Sequence, residues 1–449
     1  MVKMKRALKA KLVPVYFKSG RDAEYDNQLE IVKELLKEEA DIMESIPLGN
    51  PVSEEADAVL FPQLLGDAYE QLEDIRELSL PLLIVTSEFG MFSMWDWEIL
   101  AFLRSEGIET IAPYSLEQAK TVCKALCTKK KLSQSKFIVY QDNPGELGRQ
   151  DSIFKRFFWW EDRCINLMKK KFGVAVEKRS FEELGKRTMN MPDSEADAEL
   201  ENWSINASED LSQRALRSGV KLYLAVKEDI EKEDSVVGIG INCLNESKYS
   251  DTTPCLAWNM LYEKKGILWA CEADIMSLLT ACLVSNSLDA PVIMSNIYPF
   301  LMGPTALKHE GIPSFPEIVD EPENHILVAH CGYVGVIPKP FATEWTLRPK
   351  VLGIVDENAH VIDARLPTGY ITLVKLEPSL SKIMAIEGIS KGYVQYPGSD
   401  CRNGLIIKVN DGREVIKRVY SHHQILVPGH HSQEVELIGK VMNLKIEIL

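Results

Sequence analysis

Histidine is scarce in this chain. Only eight of 449 residues are histidine, and four of them crowd into the stretch YSHHQILVPGHHSQEVEL, between His422 and His431. Paired thiols are missing as well: the nine cysteines are scattered and no CxxC occurs. That excludes a disulfide scaffold and is the pattern of a reduced, intracellular protein. No uncharged apolar run reaches the ~18 residues of a membrane span. The opening MVKMKRALKAKLVPVYF lacks a sustained apolar core before a cleavage site, so no signal peptide is expected. A cytoplasmic protein with no membrane partner follows as the expectation. Positive charge is also thin. The net charge is −15, and the basic runs MKRALKAK, TKKKLSQSK and MKKKF are short. Phosphate binding needs clustered Lys and Arg, so nucleic acid is excluded as a partner. No GxGxxG follows the first apolar strand, which leaves a dinucleotide site without support. Internal repeats and low-complexity segments are absent.

The material that is present is ordinary for a globular protein, at 45% hydrophobic and 26% charged residues. The length suggests about two to four domains. Residues 1–150 alternate apolar strands (KLVPVYF, ADAVLFPQL, LPLLIVTSE, KFIVYQDNPG) with amphipathic helices such as DNQLEIVKELLKEE and WDWEILAFLRSEG. This alternation predicts a doubly wound parallel sheet. A second α/β domain is expected over residues 151–325. It starts with the aromatic helix FKRFFWWEDRCINLMKKKFG and an acidic loop, NMPDSEADAELENW. The strand DSVVGIGINCLN, the strand–helix unit GILWACEADIMSLLTACLVSNSL and the strand APVIMSNIYPF follow. Residues 326–449 are rich in short β segments with turn signals such as Asn410-Asp411-Gly412. They predict a β-rich, barrel-like third domain, closed by the helix SQEVELIGKVMNL. The fold class is therefore α/β, with two doubly wound parallel-sheet domains followed by a β-rich C-terminal domain.

Three places can carry chemistry. Glu272, in WACEADIMS, stands between a short apolar strand and an apolar-faced helix. In open α/β sheets ligands collect outside the carboxyl ends of strands, so Glu272 is a candidate catalytic or metal-binding carboxylate. Alternatively, Glu272 and Asp274 stabilise a helix N-terminus through its dipole. His330 ends the apolar run Ile326–Ala329 and is either a ligand or proton carrier or a hydrogen-bonded structural residue. Its neighbour Cys331 reads as a small buried residue. The paired histidines form the third place. If SHHQILV is a strand, His422 and His423 face opposite ways, and only one of them can reach a given metal. His430 and His431, past the Pro428-Gly429 turn, either line the same pocket or lie on the surface.

At these residues the chain resembles the L-fucose and L-arabinose isomerase superfamily, and especially the fucose-isomerase-like proteins of similar size. NCLNESKYSDTTPCLAWNMLYEKKGILWACEADIMSLLT, APVIMSNIYPF, ILVAHC, GYITLVKLE, SDCRNGLIIKV and HHQILVPGHHSQEVELIGKVMNLKIEI carry the resemblance, in the family's order. The resemblance implies an aldose–ketose isomerase working through an enediol, with a divalent cation, usually manganese. Glu272 matches the first family carboxylate, both ligand and acid/base. His423 matches the C-terminal histidine ligand, and His330 resembles the extra histidine of the arabinose isomerase branch. Where the family has its second carboxylate, this chain has Asn296. An amide cannot act as a carboxylate base and is only a neutral ligand. Tyr298, Glu344 and Asp274 are the possible stand-ins. The metal set implied is thus Glu272, Asn296, His330 and His423. His422 and His430 are expected near the sugar, and Trp95 and Trp97 either stack on it or pack at a helix start. The resemblance further implies a homo-oligomer, a trimer or hexamer, with its active site built between subunits. Asn296 also leaves open a non-catalytic sugar-binding relative, or an isomerase for a modified sugar.

Overall fold

The computed structural model describes residues 8–87, 90–142, 157–233, 235–299, 321–329, 342–349, 356–394 and 404–449. The chain divides into two compact units. One comprises Met1–Lys131, Asn286–Leu288 and Gln433–Lys445; the other comprises Leu132–Ser285, Asp289–Ser432 and Ile446–Leu449.

The first unit is built on a parallel sheet. Its strands are β1 (Ala10–Tyr16), β2 (Ala40–Ile42), β3 (Ile46–Pro47), β4 (Ala58–Phe61), β5 (Leu82–Ile84) and β6 (Thr110–Ile111). The order is β2-β1-β4-β5-β6, with β3 beside β1, all parallel. All four residues of β4 and the run Leu12–Val15 of β1 are buried. Such unbroken apolar runs mark strands covered on both faces, as a parallel sheet demands. Asp22 opens the helix Ala23–Leu35 by accepting from the Tyr25 amide, the expected role of an N-terminal Asp.

The second unit combines a parallel sheet with a barrel. The strands β7 (Lys136–Tyr140), β8 (Ala175–Arg179), β9 (Val236–Ile241) and β10 (Leu268–Ala270) pair in parallel in the order β10-β9-β7-β8. The remaining strands are β11 (Ile293–Pro299), β12 (His325–Ala329), β13 (Glu344–Pro349), β14 (His360–Arg365), β15 (Gly369–Leu376), β16 (Lys382–Val394), β17 (Gly404–Lys408), β18 (His423–Pro428) and β19 (Lys445–Ile448). Six of them form an antiparallel ring, β15-β18-β11-β12-β17-β16, closed by the β15–β16 pairing. Closure removes sheet edges, which is how all-antiparallel sheets avoid exposed pairing groups. β13 and β14 make a separate antiparallel pair.

Mixed α/β architecture with parallel sheets and a C-terminal barrel agrees with the sequence expectation. Three local readings change. APVIMSNIYPF, expected in the second parallel sheet, is β11 of the barrel and pairs antiparallel on both sides. A short apolar run signals burial but carries no information on strand direction. The acidic stretch expected as a loop forms the helix Asp193–Leu200. The aromatic segment forms a short turn, Phe158–Trp160, before a helix that begins only at Asp162. Among the described residues no helix is long and apolar enough to cross a membrane.

The glycines of VVGIGI prepare the ground for the site. Gly238 and Gly240 lie two apart on β9 and share one face. A Cβ at Gly238 would lie 2.8 Å from the Leu278 side chain, and one at Gly240 would lie 3.2 Å from the Ala273 Cα. The bare backbone at Gly240 lets the Cys271–Asp274 turn press onto the sheet. Gly240→Val should therefore destabilise the protein by about 1–3 kcal/mol through overpacking. Thermal unfolding of the variant with a wild-type midpoint would refute this reading.

Candidate functional site

The site starts where β10 stops. Leu268, Trp269 and Ala270 are buried strand residues, and the chain then turns sharply through Cys271–Ala273. Glu272 and Ala273 adopt left-handed backbone, with φ of 52° and 51°. This conformation is uncommon for residues with a side chain and clusters at functional sites. Two indoles hold the turn: the Glu272 carbonyl accepts from Trp160 Nε1 at 2.7 Å and from Trp159 Nε1 at 3.4 Å. The Glu272 side chain is buried. Burial pushes its pKa up, opposed by His423 and reinforced by Asp274.

Asp274 sits two residues on and does different work. Its Oδ1 accepts from the Met276 and Ser277 amides at 3.0 Å each, capping the helix Ile275–Leu288. Its Oδ2 accepts from Ser277 Oγ at 2.7 Å, Lys375 Nζ at 3.1 Å and His423 Nδ1 at 2.8 Å. Burial alone would raise the Asp274 pKa. Lys375, His423 and the amide donors overcome it and hold this carboxyl well below the usual range. Lys375 is itself fully buried, and burial lowers its pKa against the pull of Asp274. The helix-capping role that the sequence allowed for both acids thus belongs to Asp274 alone. Glu272 is left with its carboxylate turned toward the histidines.

The barrel brings those histidines in. His423 is the first residue of β18 and is paired with Asn296 of β11. Directly opposed residues of an antiparallel pair share a face, so register places Asn296 beside His423. The strand partner of Asn296 on its other side is Ala329. His423 Nε2 lies 3.9 Å from Glu272 Oε1. The expectation that His422 faces away from His423 fails: the two ring centroids are 4.0 Å apart. Alternation governs residues within a strand, and β18 begins only at His423. One ligand atom each from Glu272, His422 and His423 lies within 4.8 Å of the others. His422 is exposed at the rim, yet protein crowds it closely enough that desolvation, with His423 adding to it, pushes its pKa down to about 3. Phe157 and Trp159 stack face to face at 4.2 Å, and both flank the His422 ring at 6.0 and 6.3 Å.

The other sequence candidates take different places. His330 and Cys331 lie outside the described residues. Asn296 donates from Nδ2 to Tyr298 Oη at 3.3 Å, while its buried Oδ1 has no hydrogen-bond partner among the described residues. Tyr298 and Asp274 thus do stand by the candidate residues. Glu344 is exposed on β13 and faces Arg365 at 3.9 Å. His430 lies beyond the opposite end of β18 from His423, roughly 20 Å along an extended strand. There it meets Glu387 at 3.2 Å, and His431 bonds to the Pro428 carbonyl. Trp95 and Trp97 belong to the first unit, where they are 76% and 60% exposed.

Sequence reasoning missed Lys375 and the anchoring indoles. Lys375 interrupts the apolar run of GYITLVKLE, and a charged residue inside a buried strand almost always has a buried partner. That was the available signal. Trp159 and Trp160 carried no comparable one, since adjacent aromatics read simply as core.

The donor set fits a divalent cation. Ligand atoms at about 2.1 Å from one first-row ion lie roughly 3–4 Å from each other. One carboxylate oxygen and two imidazole nitrogens at the present spacing come close to that. Nitrogen and oxygen donors together suit manganese, zinc or iron more than calcium.

No protein-family model and no curated protein matches the sequence. Among solved structures, a solute-binding protein of an ABC transporter from Burkholderia multivorans is matched at 11% identity, over 63% of this chain and 96% of that one, with a TM-score of 0.15. A likeness that low carries no argument about fold or ligand.

Proposed function

We propose that the protein is a metal-dependent aldose–ketose isomerase of the fucose/arabinose isomerase type. The observation that carries this reading is the convergence of Glu272, from the turn after β10, with His422 and His423, at the start of β18, at the carboxyl end of a parallel strand. These three residues would hold the cation, manganese by the resemblance. When bound, it would polarise neighbouring sugar oxygens. Glu272 is the proton carrier: a buried carboxylate whose pKa burial raises is a stronger base than a free one and can take and return a proton. Asn296 offers a buried acceptor, Oδ1, for a sugar hydroxyl. Without a second carboxylate, Glu272 would carry the carbon proton between C2 and C1 on a single face of the sugar, and the C2 hydroxyl proton would pass to the C1 oxygen directly between the two neighbouring oxygens. The proposal includes a cytoplasmic homo-oligomer, trimeric or hexameric. A stable monomer in light scattering at micromolar concentration would remove that part.

A second reading is a sugar-binding relative without catalysis, favoured by the neutral Asn296 and its bond to Tyr298. A screen of aldoses and ketoses for interconversion separates the two. The metal site has its own test. His422→Ala and His423→Ala should each weaken manganese binding at least tenfold in titration calorimetry. If both variants stay folded and bind manganese as the wild type does, the cluster is not a metal site.

A further inference from the structure

The buried cation behind the site has no place in the reaction just described. Lys375 Nζ donates to two side-chain oxygens, Asp274 Oδ2 at 3.1 Å and Ser277 Oγ. Asp274 in turn accepts from two amides, Ser277 and Lys375, and its Oδ2 lies 2.8 Å from His423 Nδ1. An ionised carboxylate can only accept, and an ammonium can only donate. The proton in the His423–Asp274 bond therefore sits on Nδ1. In a neutral imidazole this leaves the lone pair on Nε2, the atom 3.9 Å from Glu272 Oε1. Ligating histidines need that arrangement, and loss of a partner that fixes the ring and tautomer typically costs about ten- to hundredfold in metal affinity.

We propose that Lys375 is a positioning residue of this site: through Asp274 it holds His423 as the Nδ1–H tautomer, with Nε2 turned toward Glu272. The hydrogen bonds of Lys375 go to Asp274 and Ser277, not to Glu272 or His423. It acts by pinning Oδ2, the oxygen that Ser277 and His423 share. Three elements must be in register for this: β15 supplies Lys375, the turn after β10 supplies Asp274, and β18 supplies His423. The weight given to Nε2 as a ligand rests on the metal-site reading; the tautomer does not.

The experiment uses the full-length, metal-free protein labelled with 15N-histidine. At a pH where the imidazoles are neutral, long-range 1H–15N correlation reads the tautomer of His423, assigned through His423→Ala. Wild type should show Nδ1–H. In Lys375→Met Oδ2 keeps only Ser277 Oγ of its two anchors, and the tautomers should shift toward a mixture. Manganese affinity, measured in parallel, should fall about ten- to hundredfold. Lys375→Met leaves Asp274 buried without its cation and can fail to fold. The double variant Asp274→Asn/Lys375→Met removes both charges and keeps the test available; it should show the same mixed tautomers. The proposal is overturned if wild-type His423 carries its proton on Nε2. It is equally overturned if the folded variant keeps both the Nδ1–H tautomer and the manganese affinity. A wild-type protein that shows Nδ1–H but binds no manganese would end the metal reading and leave the Lys375 result standing.

Discussion

Glu272→Gln should lower isomerase turnover by about 10²–10⁴-fold, the usual weight of a positioned acid/base, and leave stability unchanged or slightly raised. The two halves of this expectation share a cause. Glu272 is buried, and burial pushes its pKa up, so the ionised form is poorly solvated where it stands. A neutral amide of the same shape removes that penalty. It keeps the backbone turn, because the indoles of Trp159 and Trp160 bond to the carbonyl and not to the side chain. It cannot take a proton from carbon. Steady-state assays on whichever sugar the screen identifies, with melting curves alongside, check both halves. Turnover near the wild-type rate would remove Glu272 from its role. A collapse in melting temperature would instead make it a structural acid.

Much of this site was legible in the sequence, and the illegible parts share one reason. Strand-end position marked Glu272, and the resemblance added His423 and exposed the substitution at Asn296. These are properties of single segments. What the sequence could not supply was register between segments. The pairing of β11 with β18 sets Asn296 against His423, and no local pattern specifies which strands of a barrel are neighbours. The same gap explains His430. It is seven residues from His423 in the chain, and an extended strand converts that short separation into opposite ends of the barrel. His422 erred in the other direction. Strand alternation does not reach the residue before β18 begins, where the backbone is no longer obliged to alternate. The coarse class, mixed α/β with parallel sheets and a C-terminal barrel, survived these local errors because apolar periodicity and segment order determine it, and neither depends on exact pairing. Lys375 is the instructive omission. A lone lysine in GYITLVKLE has no meaning until its partner is known, and that partner, Asp274, lies 101 residues away in the chain.

Asp274→Asn should be the most damaging single change to stability, about 3–5 kcal/mol at neutral pH. The loss is electrostatic. Asn caps a helix about as well as Asp, so the Met276 and Ser277 amides keep an acceptor. Lys375 keeps nothing equivalent: its ammonium stays buried beside a neutral amide, and an uncompensated buried charge is the expensive outcome. Removing the lysine as well should recover most of the loss. Asp274→Asn/Lys375→Met should therefore be closer to wild type than Asp274→Asn in urea unfolding. The acid limb gives an independent check. Lys375, His423 and the amides hold the folded Asp274 pKa below its unfolded value of ~3.9. Between those two pKa values the unfolded state binds a proton that the folded state refuses. This contribution is therefore fully present above pH ~4 and is lost as the pH falls through the folded pKa. The amide introduced by Asp274→Asn cannot titrate, so this part of the acid dependence should vanish in the single variant and the double variant alike. The account fails if Asp274→Asn unfolds within about 1 kcal/mol of wild type, or if the double variant is no more stable than the single one.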